Sequence, residues 1–173
     1  RFLVTLTGFD QATETIDGLK AVAGIVDSKV REAGEAPDLV GGLPPTGLRT
    51  GSVKYLKGLL GLNNIYPFYT ARGLGFAEAA RGVYENGATL LILDYGTAEA
   101  RVRAWIDLKA YLAGSDKFKV ADSGSPDVFL VLDGKGQSVA FAGSGPRLLI
   151  GMSRDAAAAS GIVGRVLRSP GPP

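Results

Sequence analysis

Between Phe118 and Ala142, three strand-like segments (Phe118 to Ala121, Val128 to Leu132 and Ser138 to Ala142) are separated by Ser123-Gly124-Ser125-Pro126 and Gly134-Lys135-Gly136. Parallel neighbours need a crossover of roughly a dozen residues or more, so links this short join antiparallel strands. Asn86-Gly87 carries the same message upstream. It is a two-residue hairpin signal that makes Ala79 to Glu85 the antiparallel partner of Thr89 to Tyr95. The turns therefore predict an α+β fold, an antiparallel sheet with helices packed on one face, and weigh against a parallel α/β sheet.

Three segments share one grammar, a strand followed at once by a helix, and suggest repeated strand-helix units. In the first, Phe2, Val4 and Leu6 alternate with Leu3, Thr5 and Thr7, and a helix follows with apolar residues at Ile16, Leu19, Ala23, Val26 and Val30. Asp10 or Thr13 is the expected cap. In the second, Thr89 to Tyr95 runs into a helix marked by Ala98, Val102, Trp105, Ile106 and Leu112 and ending near Gly114. In the third, Leu148, Ile150 and Met152 form a strand face, Ser153 caps, and Ile162, Val163, Val166 and Leu167 make a closing helix stripe. The chain reads as one domain over 1–168: a strand-helix unit at 1–33, an ordered Pro/Gly-rich connection at 36–64, a hairpin-helix unit at 77–113, and a meander with closing helix at 117–168. A tail follows at 169–173.

What the chain lacks narrows its chemistry. Its 173 residues contain no histidine and no cysteine, which removes most side chains that metal sites and nucleophilic triads use. An apolar share of 46% with 21% charged residues describes a folding chain rather than a disordered one. Nineteen basic against seventeen acidic residues leave a charge of +2 without a dense Lys/Arg cluster, which disfavours nucleic acid. Apolar runs such as Leu90 to Leu93 fall far short of the roughly 20 residues of a membrane-spanning helix. The chain opens on Arg1 and leads directly into strand-like residues, which suggests a removed upstream portion of the kind that carries a signal peptide.

Candidate site residues fall into two groups. Tyr55, Asn63, Tyr66, Phe68 and Tyr69 cluster near the long connection, where aromatic rings with polar tips line a ligand cleft or partner groove, or else pin the connection to the sheet. Ser144, Gly145 and Arg147, within Gly143-Ser144-Gly145-Pro146-Arg147, suit an anion-binding nest, although a plain strand connection needs the same glycines. Asp94 with Asp107, or Asp127 with Asp133, would serve as paired carboxylates only if the fold held them a few ångströms apart. No serine has a histidine base. Catalytic residues, metal ligands and cofactors are therefore not expected.

The run Leu43-Pro44, Gly51-Ser52 with Tyr55 and Gly58, Leu62-Asn63 with Tyr66, a small-residue strand ending in Tyr84, and Asp94-Tyr95-Gly96-Thr97-Ala98 resembles the bacterial uncharacterised family named domain of unknown function 6599. The resemblance covers Leu43 to Leu112. It implies a secreted or envelope-associated protein, with further sequence upstream and no assigned activity or catalytic residue. Together these readings lead to the expectation of a non-catalytic binding or interaction domain, extracytoplasmic, with a protein partner, such as an accessory subunit of a larger assembly. The alternative is a small-molecule-binding protein or an enzyme using carboxylate, tyrosine or lysine groups without metal.

Overall fold

Each short link closes a hairpin in the computed structural model, which describes residues 6, 8, 10, 12–29, 37–58, 61–62, 65–66 and 74–168. Seven strands, β1 (Lys54–Lys57), β2 (Glu78–Val83), β3 (Thr89–Asp94), β4 (Phe118–Ala121), β5 (Phe129–Asp133), β6 (Ser138–Ser144) and β7 (Arg147–Ser153), form one sheet in the order β1-β2-β3-β7-β6-β5-β4. Every neighbouring pair is antiparallel. The described helices are α1 (Thr13–Lys29), α2 (Asp38–Gly41), α3 (Ala98–Gly114) and α4 (Ala156–Arg168). The α+β class and the antiparallel sheet are as the turns required. The strand read at Phe2 to Thr7 falls, apart from Leu6, outside the described residues, as do Asn63, Phe68, Tyr69 and the tail.

The chain divides into two compact units, 1–36 and 37–173. In the first, Ala12 N donates to Asp10 Oδ1 at 3.0 Å just before α1. The Thr15 hydroxyl and then that amide hold the Asp10 carboxyl below its ordinary range. α1 itself carries no buried residue. The sheet belongs wholly to the second unit.

The Asn86-Gly87 turn differs in detail from the two-residue loop expected. Tyr84 N donates to Ala88 O and Gly87 N to Tyr84 O, so Glu85, Asn86 and Gly87 form a three-residue loop with Gly87 at φ +80. Among the described residues none other than glycine has positive φ, which excludes the type I′ turn and leaves a type I turn with a glycine bulge. Gly134-Lys135-Gly136 repeats the pattern: Asp133 N donates to Gln137 O and Gly136 N to Asp133 O.

Helices cover both faces of the sheet rather than one, which corrects the expected arrangement. On one face, here face A, Leu91, Leu93, Val139, Phe141, Leu148 and Ile150 pack with Leu108 and Leu112 of α3. On face B, Leu90, Ile92, Leu130, Ala140 and Leu149 pack with Ala159, Ile162 and Val163 of α4 and with Leu39 and Leu43 around α2. The physical reason is visible in β3, whose unbroken Leu90-Leu91-Ile92-Leu93 run is wholly buried. A strand apolar on both sides needs cover on both sides. The passages β3 to α3 and β7 to α4 thus deliver their helices to opposite faces, and a repeated strand-helix unit is not confirmed.

The packed stripe of α3 also differs from the one read from sequence. Ala100, Ala104, Trp105, Leu108, Tyr111 and Leu112 meet the core, whereas Val102 and Ile106 are 40% and 60% exposed. At about 100° per residue, 102 and 106 lie across the helix from 104 and 108. Small alanines let this helix approach the sheet, and the larger aliphatics are left outside. Thr97 caps it, its hydroxyl accepting from Ala100 N at 3.2 Å. Before α4, Asp155 N donates to Ser153 Oγ, and Asp155 Oδ1 accepts from Ala157 N.

Candidate functional site

The described part of the connection, 37–58, is built into the sheet. Arg49 N donates to Val83 O, Leu48 bridges to Tyr84, and the Ser52 hydroxyl donates to Arg49 O while accepting from Val83 N. β1 follows and pairs with β2, placing Tyr55 opposite Ala80 and Leu56 opposite Ala79. Directly opposite residues share a face. Tyr55 therefore lies on face B with Ala80, and Tyr66 packs against the core of face A. The fold separates these two candidates by the thickness of the sheet.

Each tyrosine is tied to a carboxylate. The Tyr55 hydroxyl donates to Glu78 Oε2; that bond, then burial and the Glu78 charge, push its pKa up to about 12. The Tyr66 hydroxyl donates to Asp133 Oδ2 at 2.8 Å, and its pKa is raised by burial first, then by that bond and by the Asp133 charge. Burial alone would raise the Asp133 carboxyl. The Gln137 amide, the Tyr66 hydroxyl and the Lys135 amide and charge outweigh it and hold the carboxyl below its ordinary value. Asp133 Oδ1 accepts from both amides at 2.8 Å, which makes it the organiser of the β5–β6 turn.

Ser144, Gly145 and Arg147 are brought together by the β6–β7 hairpin. Ser144 pairs with Arg147 across Gly145-Pro146, with Gly145 at φ +52, the position a type II′ turn reserves for glycine. Arg101 Nε donates to Gly145 O at 3.1 Å, and Arg147 Nε donates to Asp94 Oδ2 at 3.3 Å. The strand-connection reading accounts for these glycines, and the Arg147 charge is already engaged by a carboxylate.

Register assembles a polar row that sequence reasoning missed. Lys57, Glu78, Asp94, Arg147 and Ser144 are successive partners across β1, β2, β3, β7 and β6, all on face B. The carboxylate opposite Asp94 is Glu78, not the Asp107 considered from sequence. Two like charges opposed on neighbouring strands repel. Here Tyr55 and Arg147 bracket them, and Gly96 N donates to Asp94 Oδ1 at 2.7 Å. Counting outward from the Asn86-Gly87 turn would have found the pair, but only with the loop length known. Tyr84, 1% exposed, is a second omission: burial pushes its hydroxyl up to about 12, opposed by Arg165, whose guanidinium lies 5.3 Å from the ring centroid.

Chemically, the row and the turns join donors to acceptors within the protein. Among the described residues no group of three Asp, Glu, His or Cys side chains is placed to hold a metal ion. Among them, too, no helix is long and apolar enough to cross a membrane. No family model, no curated protein and no solved structure matches this chain.

Proposed function

We propose that this chain is a non-catalytic interaction domain of a bacterial envelope or secreted protein, presenting the outward side of α3 to a protein partner. The observation that carries the reading is Ile106, 60% exposed, one helical turn from Val102 at 40%. The exposed Ala110 and Ala113 extend the same side. Scattered single apolar residues on a surface are ordinary, whereas a stripe along one helix side offers a partner burial worth about 25 cal/mol per Å². The polar candidates support binding over acid–base turnover, because Tyr55, Tyr66, Asp94, Asp133 and Arg147 are joined to one another or to the backbone. The envelope or secreted location rests on the resemblance of Leu43 to Leu112 to the bacterial family.

Site-specific photo-crosslinking tests the proposal. A photoreactive residue at position 106, in cells that make the protein, should yield a discrete adduct that Val102→Asp abolishes and that the same group at position 119 does not form. Equal labelling from both positions, or turnover of a substrate by the isolated chain, would overturn it.

A further inference from the structure

We propose that the partner taken by the outward side of α3 is a second copy of this chain, the two helices lying antiparallel about a two-fold axis at Ile106. The inference rests on the reading of α3 given above and names its partner. At about 100° per residue, Ala100, Ala104, Leu108 and Leu112, which meet the core, are centred directly across the helix from Ile106. Ile106, 60% exposed, therefore marks the outermost line of α3, and the exposed Val102 and Ala110 lie within about 40° on either side of it. A two-fold contact is self-complementary: if one residue meets a second, the second meets the first. With Ile106 on the axis, Val102 falls level with Ala110 of the partner copy, large against small, on both sides of the axis.

Charge supplies the argument for a second copy. Arg103 and Asp107 are exposed on one flank of the stripe, about 60° and 100° round from Ile106. They stand about one turn apart with opposite charges, yet neither is held in an ion pair among the described residues. In an antiparallel pair this flank meets its own counterpart, and a rise of about 1.5 Å per residue sets Arg103 about 3 Å along the axis from Asp107 of the partner copy. Symmetry repeats the contact, so two guanidinium groups bracket two carboxylates, and charge-assisted bonds of this kind are the strong ones. A parallel pair would set this flank against the one that carries Lys109 and lose both contacts, and the Lys109 ammonium already lies 5.1 Å from the Phe129 ring centroid. A helix of 17 residues is about 25 Å long and about 10 Å across, which offers less than the roughly 800 Å² per partner of a stable interface. The dimer is accordingly weak and concentration-dependent.

Sedimentation equilibrium of the purified full chain, from about 10 µM to about 1 mM, tests the pairing in the range of weak contacts. The average mass should rise toward that of a dimer. Arg103→Asp and Asp107→Arg, both surface changes, should each weaken association at least about tenfold, because like charges are then opposed twice. Mixing the two variants, or combining both substitutions in one chain, should restore it, since every acid again meets a base. A chain that stays monomeric throughout, or a doubly substituted chain that associates no better than the single variants, would overturn the proposal. The crosslink from position 106 in cells separates this failure from that of the α3 reading: a discrete adduct of other than dimer mass leaves α3 as the interface with a different protein, and no adduct removes both.

Discussion

Gly151→Ala should be among the most damaging single-methyl additions available to this protein. Gly151 lies in the middle of β7, paired with Leu90 on one side and Ala140 on the other, beneath α4. A Cβ there would stand 2.2 Å from Ala159 O and 2.9 Å from Ile162 Cγ2 and Val163 Cγ2. Ordinary contact begins near 3.4 Å, so the helix would have to retreat by about 1.2 Å. A radial gap near 1 Å forfeits up to about half of the dispersion energy of the atoms it separates. Ala159, Ile162 and Val163 are all fully buried and would all lose contact together. Overpacking usually costs about 1–3 kcal/mol. The obstacle here is helix backbone that cannot rotate aside, which argues for about 3 kcal/mol. Gly143→Ala is the control, because its Cβ would stand 2.5 Å from Arg101 Nη1. That atom ends a flexible side chain, so the expected loss is about 0.5–1 kcal/mol, that of the bond from Arg101 Nε to Gly145 O. Urea unfolding followed by fluorescence of Trp105, the only tryptophan, reads both variants from face A, where the indole stands 5.5 Å from the rings of Phe129 and Phe141. The unfolding midpoint should fall at unchanged denaturant dependence. A Gly151→Ala loss below about 1 kcal/mol, or equal losses in the two variants, would refute the close-packing argument.

Two further outcomes test local ties. Thr97→Ala should cost about 1 kcal/mol in the same unfolding assay and Thr97→Ser should restore most of it, since the hydroxyl caps α3; equal stability of all three proteins would deny the cap any weight. Asp133 titrates below its ordinary 3.8 in the folded chain, so its contribution to stability is complete at neutral pH and disappears as pH falls through that depressed value. Asp133→Asn should therefore flatten the loss of stability on acidification, and matching acid profiles for wild type and variant would contradict the assigned role.

The parts of this fold that were legible in advance are those set by neighbours in the chain. Gly134-Lys135-Gly136 and the strands around it lie close to where the turn residues imply, because positive φ at Gly136 and the short reach of the link restrict the chain before any packing occurs. The start of α3 follows similarly from Thr97, whereas at α4 the side chain that accepts from the first turn is Asp155 and not the Ser153 read from sequence, which ends β7. The candidate sites were harder to read. Tyr55 and Tyr66 look like one cluster along the chain, yet β1 turns the first to face B while the second packs on face A. Glu78 and Asp94 look unrelated in sequence, yet they stand opposite each other across two strands.

By itself, then, the sequence determined the antiparallel hairpins, most element boundaries and the absence of histidine and cysteine chemistry. Tertiary structure alone decided that helices shield both sides of the sheet and that α3 buries its alanines and leaves Ile106 outside. Periodicity states which residues share a side of a strand or helix. What lies against that side depends on pairings between residues distant in the chain, and only the folded arrangement of the whole sheet settles them.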